Sequence, residues 1–362
     1  MGCLLVWQVV SIFLLIKFMK SFKNILLFGA LVLLNGCLND PDVPVITYDL
    51  DPTAKILSYI ESTGDFANSP EAPALISTND VYSNLDLYFI LDIRPTDEFL
   101  IGHIQNAINV NTQRLYEVVD SLNSLNPDRK IILVSKNGQA SSFFVSLLRL
   151  AGFSNTYSMN FGMAYWHLDF ADEWLNSLKM DEALTTYEDL DYPKLPMSSL
   201  PNLSLPSDLK SDKELALYRI REVIKNGFKS NINYSINFDD QVKNTHLKVC
   251  YGYLNLYRTL PFQGGAGHPA GTIWYQDNPT FEFRSTVSLQ TLPADRPIII
   301  YSANGQSGAC ITAYLTVLGY NVKTLLFGTN QLFYWLMSPG LQLVADQFNP
   351  QEIANYPYIK GN

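Results

Sequence analysis

Four consecutive bulky apolar residues, Ile131 to Val134, run into the polar stretch Ser135-Lys136-Asn137-Gly138-Gln139-Ala140, and beyond it Phe143, Phe144, Leu147 and Leu148 recur at helical spacing until Gly152. The pattern predicts a strand buried on both faces, a tight loop and a helix. It occurs twice. Ile298 to Tyr301 lead into Ser302-Ala303-Asn304-Gly305-Gln306-Ser307, and a helical segment follows to Leu318 and Gly319. The loops are offset by 167 residues (302 − 135), and a second landmark, Gly102-His103-Ile104 and Gly267-His268-Pro269, by 165 (268 − 103). Trp166 and Trp335, offset by 169 (335 − 166), lie near the ends of the two copies. Self-similarity of this kind means a duplicated domain. The fold class is therefore α/β, two domains that are each a parallel sheet with helices on both faces, with the loops at the carboxyl ends of the strands where such sheets bind ligands.

Around the repeats the chain divides by pattern. Residues 51–185 form the first domain, which begins with an amphipathic segment from Thr53 to Ile60 and continues through a buried strand, Tyr88 to Leu91. Asp92 and Arg94 alternate beyond the end of that strand, at the sheet rim, where they form a structural ion pair. Residues 186–210 contain Tyr192-Pro193, Leu195-Pro196, Leu200-Pro201 and Leu205-Pro206, a stiffened linker whose leucines pack on both domains. Residues 211–362 form the second domain, with a helix from Asp212 to Lys225 stopped by Gly227 and a strand at Leu247 to Tyr251. Gly264 to Gly267 read as a surface turn, because the spacing and lysine of a phosphate loop are missing.

Ahead of all this lies a different pattern. Met19-Lys20-Ser21-Phe22-Lys23 is a short basic start, Ile25 to Leu34 is apolar, and Leu34-Asn35-Gly36-Cys37 resembles the lipobox of bacterial lipoproteins. Residues 1–36 are thus expected to be a signal segment, Cys37 the lipidated first residue, and residues 37–50 a tether. The apolar run from Cys3 to Ile16 is short of the roughly 20 residues that span a bilayer, which points to Met19 as the true start, with an uncleaved anchor as the alternative. Either way the body is placed at the bacterial cell envelope, facing away from the cytoplasm, and touches the membrane through its lipid anchor only.

Charge and composition narrow the partners. The net charge of −9 becomes −12 once Lys17, Lys20 and Lys23 of the signal segment are removed, so nucleic acid is not an expected partner. Cys3, Cys37, Cys250 and Cys310 form no C-x-x-C, and no Cys/His cluster has metal-ligand spacing, so neither a metal nor a cofactor is expected. Cys310, two helical turns past Ser302, and Cys250, within a strand, both read as buried filler.

The residues that carry chemistry suggest a family. Leu91-Asp92-Ile93-Arg94, Glu98-Phe99 and Gly102-His103-Ile104-Gln105-Asn106-Ala107, then the six-residue loop and Gly162-Met163-Ala164-Tyr165-Trp166, resemble the signature of the rhodanese-like sulfurtransferases. The resemblance covers about residues 75–170 and, more loosely, about 245–340, where no Asp-x-Arg precedes His268. It implies two rhodanese-like domains, with Asp92, Arg94, Glu98, His103 and His268 supporting loops in which a cysteine carries a persulfide. Ser135 and Ser302 stand where the family has that cysteine, and Ala140 and Ser307 where it often has arginine.

What survives of such a loop is its backbone. Convergent N–H groups and a helix N-terminus over Ser135, Lys136, Asn137, Gly138, Gln139, Ala140 and Ser141, and over Ser302, Ala303, Asn304, Gly305, Gln306, Ser307 and Gly308, suit a small oxyanion such as sulfate, thiosulfate or phosphate. Sulfur transfer does not survive, because a serine hydroxyl stays protonated at neutral pH where a cysteine supplies a thiolate. The expectation is a non-catalytic envelope lipoprotein that binds a small oxyanion, most tightly at the loop with Lys136, or a protein partner. The alternative is a sulfurtransferase or phosphatase-like enzyme with an unrecognised nucleophile.

Overall fold

A computed structural model describes residues 51–178, 187–188, 190–233, 245–258, 268–277, 282–334 and 347–361. The expected signal segment, Cys37 and the tether lie outside the described residues, as do Gly264 to Gly267 and Trp335.

The first lobe is a five-stranded sheet of β1 (Leu75–Ile76), β2 (Phe89–Asp92), β3 (Ile108–Asn109), β4 (Ile131–Val134) and β5 (Thr156–Met159), all parallel, in the order β1-β5-β4-β2-β3. The second repeats it with β6 (Ile232–Asn233), β7 (Leu247–Tyr251), β8 (Thr272–Tyr275), β9 (Ile298–Tyr301) and β10 (Val322–Leu325), in the order β6-β10-β9-β7-β8. Strand for strand the two sheets are the same.

Alternation along β4 shows why the apolar runs were continuous. Ile131 and Leu133 join a core with Leu91, Phe143 and Leu147, while Ile132 and Val134 pack on the other face with Ile90, Met159, Met163 and Trp166. The first of these cores does not stop at the lobe boundary but continues through Val249, Ile298, Ile300 and Leu315 of the second lobe. Helices fill the space between, with α1 (Pro52–Ser62) in contact with α8 (Asp212–Asn226), and α5 (Gln139–Leu150) in contact with α10 (Gln306–Val317). The first lobe also carries α2 (Thr78–Ser83), α3 (Thr96–Ile101), α4 (Leu115–Leu125), α6 (Met163–Trp166) and α7 (Asp172–Ser177), and the second carries α9 (Leu254–Tyr257) and α11 (Thr329–Phe333). Helix α8 begins with a reciprocal cap between Ser211 and Glu214 and ends at Gly227. Leu50–Asn362 is one compact unit.

Three placements could not be read from the sequence, and the second corrects the expected extent of the second domain. First, Gly162 and Gly328 occupy the same left-handed turn, with φ of 57° and 56°, so the offset at this end of the repeat is 166 (328 − 162). That register sets Leu332, not Trp335, opposite Trp166. Second, the chain's last stretch belongs with the first lobe. Ile359 pairs with His103, Trp166 donates to the carbonyl of Pro357 at 3.0 Å, and Tyr356 stacks on Tyr82 at 3.9 Å, so residues 347–361 return across the molecule to cover aromatic surface. Third, Cys250 is buried within its strand, as expected, and the strand register gives it a definite counterpart. It pairs with Tyr301 as Asp92 pairs with Val134, so a thiol holds the second lobe's counterpart of the Asp92 position.

Residues 190–210 tie the lobes together from outside. Thr53 of α1 donates to Pro201 at 2.7 Å, Ser198 and Gln290 exchange hydrogen bonds, and Leu195, Leu200, Leu203 and Leu205 lie half-buried on the shared core.

Candidate functional site

Each loop follows a central strand and is capped by a glycine in left-handed geometry, Gly138 (φ 86°) and Gly305 (φ 82°), at the start of its helix. The next turn presses on it: a Cβ at Gly162 would lie 2.1 Å from the Ser135 carbonyl oxygen, and one at Gly328 2.1 Å from that of Ser302. Only glycine fits either position.

The serine hydroxyls sit at the loop centres. Ser135 Oγ accepts from the N–H groups of Gly138 at 3.1 Å and Ser141 at 3.3 Å, and shares a hydrogen bond with Ser141 Oγ at 3.0 Å. Asn137 Oδ1 takes the Gln139 N–H at 3.1 Å, and a hydroxyl chain continues through Ser158 and Ser142. In the second loop Ser302 Oγ accepts from Gly305 at 3.2 Å and Gly308 at 3.0 Å, and Asn304 Oδ1 from Gln306 at 2.9 Å. The Ala303 carbonyl is held by Thr329 and Asn330. Several of the N–H groups that would hold an anion thus already have an oxygen from the chain itself.

The fifth residue of each loop then crosses to the other. Gln139 Nε2 donates to the carbonyls of Gly305 and Leu325, both at 3.2 Å, and its Oε1 accepts from Phe327 N at 2.6 Å. Gln306 answers with Oε1 accepting from Phe161 N at 3.0 Å and Nε2 donating to Asn160 Oδ1 at 2.7 Å. Phe161 and Phe327 are counterparts in the repeat, so the exchange has the reciprocity of a two-fold interface inside one chain. Both glutamines are fully buried. The sequence did show glutamine at the same place in both loops, but not that each reaches the other. Ala140 and Ser307, at the sixth position, bring no positive charge to this junction.

The supporting residues are structural. Arg94 binds Asp92 through Nε and Nη2 and donates to the Gly102 carbonyl at 2.7 Å, and both side chains are buried rather than at the rim. His103 stacks on Phe99 at 3.8 Å with Nδ1 3.0 Å from the Phe99 carbonyl, and His268 repeats this on Tyr257 at 3.8 Å and 3.0 Å. Lys136 does not serve the loop: its ammonium pairs with Glu173 at 2.9 Å and Glu98 at 3.7 Å. Burial works against that charge, but the bonds and charges of Glu173 and Glu98 outweigh it and hold the lysine above its usual pKa. Trp174 of α7 donates to the Asn137 carbonyl at 3.3 Å and packs with Phe161, Phe327 and Phe348 in an aromatic cluster beside both loops.

Among the described residues no base reaches either serine. Among the described residues, the hydrogen-bond partners of Ser135 Oγ are two amides and a hydroxyl, and those of Ser302 Oγ are two amides. The thiols offer no substitute, since burial pushes Cys310 up to about 12 and raises Cys250 as well. Among the described residues no cluster of His, Cys, Asp and Glu could hold a metal ion.

The fold has relatives. The model of the family described as "Rhodanese-like domain" matches residues 77–169. The thiosulfate sulfurtransferase GlpE of Shewanella oneidensis is 32% identical over 78 residues, which are 22% of this chain and 74% of that protein. GlpE of Pseudomonas putida is 29% identical over 84 residues, 23% of this chain and 74% of the relative. Among solved structures, the 3-mercaptopyruvate sulfotransferase SseA of Escherichia coli matches 70% of this chain and 98% of its own at 15% identity and a TM-score of 0.25. The motifs around Asp92, His103 and the first loop lie within the matched stretch, and with a relative at that identity covered over most of its length, the chain belongs to the rhodanese-like family.

Proposed function

We propose that this protein is a non-catalytic rhodanese-like module that binds a protein partner at the cell envelope. The observation that carries this reading is the closure of both loops: a serine hydroxyl takes the loop amides, and the glutamine of the opposite lobe fills the space in front of them. A sulfur donor would need a thiolate and an open loop, and an oxyanion would need amides without internal acceptors. A protein partner needs neither. The test is thiosulfate:cyanide turnover by the purified chain. The expected result is no turnover above a heat-treated control, and Ser135→Cys should restore little, because Gln306 still closes the loop and Ala140 adds no cation. Turnover by the parent chain would overturn this reading in favour of an enzyme with another nucleophile.

Envelope attachment is part of the proposal and rests on the basic start, the apolar run and Gly36-Cys37. Intact mass of membrane-extracted protein should show a chain beginning at a lipidated Cys37. A chain that keeps residues 1–36, or an unmodified Cys37, contradicts the anchor.

A further inference from the structure

At the mouth of the first loop the chain leaves a hollow of about 170 Å³ between α3 and α7, with Arg94, Glu98, Ile101, Lys136, Phe170 and Glu173 on its walls. Its charge is one-sided. Four carboxylates line it, those of Glu98, Asp169, Asp172 and Glu173, while Lys136 is shared between Glu98 and Glu173 and Arg94 is neutralised by the buried Asp92. Four carboxylates against one lysine leave a net charge of −3 at the opening.

The surroundings are apolar and exposed. Ile101 is 65% exposed, Leu168 51%, Ile359 43% and Leu100 37%. They lie on one side of the molecule: Gly361 N donates to the Leu100 carbonyl at 2.9 Å, Ile359 pairs with His103, and Phe170, two residues from Leu168, packs edge-on against Tyr358 at 4.9 Å.

We infer that this hollow and its apolar border form the docking site for a partner protein segment in which basic residues alternate with apolar ones. Lysine or arginine of the partner takes the carboxylates that Lys136 only partly satisfies, and its apolar residues cover Ile101 and Leu168. A second copy of this chain does not fit, since two surfaces of a protein with net charge −9 repel. Nucleic acid and anionic lipid are excluded by the same sign.

The inference rests on the protein-partner reading above, and its test is separate from turnover. Fluorescein-labelled peptides of about twelve residues, alternating Lys-Leu, Glu-Leu or Lys-Ser, are titrated into the purified full-length chain by anisotropy at physiological salt. The Lys-Leu peptide should bind, with the other two at least about tenfold weaker. Ile101→Asp and the double variant Asp172→Lys/Glu173→Lys should each lower its affinity by at least about tenfold. Amide shifts on the parent chain, which need no variant to fold, should centre on Ile101, Lys136, Phe170 and Glu173. Absence of Lys-Leu binding at millimolar peptide overturns the inference, as does equal binding of Lys-Ser or shifts centred elsewhere. If turnover is absent while these outcomes fail, only the docking site is lost.

Discussion

A hydroxyl both donates and accepts, and that is what lets Ser135 and Ser302 occupy the centres of loops whose amides converge on them. The same is true of the glutamine amides that close them. Gln139 serves Phe327 N, Gly305 O and Leu325 O in a space from which water is excluded. Gln139→Leu keeps the volume and orphans Phe327 N, while the carbonyls of Gly305 and Leu325 keep the N–H groups of Ala309 and Gly328. Because each buried unsatisfied group costs about 1–3 kcal/mol, the variant should lose at least that much unfolding free energy in a urea titration. A loss below about 0.5 kcal/mol, the scatter of ordinary surface substitutions, would show that the crossing contact carries no stability.

At the scale of elements, the two lobes are held by how α1 and the turn after it seat on residues 282–291. Asn68 accepts from Phe283 N at 2.9 Å, Asp65 accepts from Arg284 Nε at 3.1 Å, and Glu61 binds both the N–H and the hydroxyl of Ser285 at 2.7 Å. Asp65 is 1% exposed, and burial raises its pKa above the usual 3.8 by more than Asn68 and Arg284 lower it. An acid raised in the folded state adds stability below its ordinary pKa, and that contribution is lost as pH rises through the raised value. The parent should therefore lose stability relative to Asp65→Asn as pH rises from about 4 through that window. Urea midpoints of both proteins across the acid range check this. A parent that gains on the variant over the same range would mean that the Arg284 pairing, not burial, governs Asp65.

For the whole molecule the decisive feature is one core under two sheets. Ile131, Leu133, Ile298 and Ile300 all belong to it, and the strap at 190–210 and the tail at 347–361 each bind across the lobe boundary or back over it. Shared burial couples the lobes, so heat should unfold them in one transition, with calorimetric and van't Hoff enthalpies equal. Two resolved transitions would show that the lobes are independent domains joined by a linker.

The sequence by itself determined the two central strands with their loops and helices, the strands at 88–91 and 247–251, the helices near 53–60 and 212–225, and the duplication, because each is written in local periodicity and in residues that turns require. It also shows serine, not cysteine, at the first position of both loops, Ser135 and Ser302. Gly162 and Gly328 mark the end of the repeat more closely than the tryptophans do, because their value lies in a φ and a close approach to a carbonyl that only the structure shows. Only the tertiary structure decided that the loops face one another. Gln139 meets Leu325 across 186 positions of sequence, Cys250 comes to stand where the first lobe has Asp92, and the tail returns to His103. No periodicity encodes such pairings: they follow from two sheets burying one face each against the same helices, and that burial brings the loop glutamines within hydrogen-bonding reach.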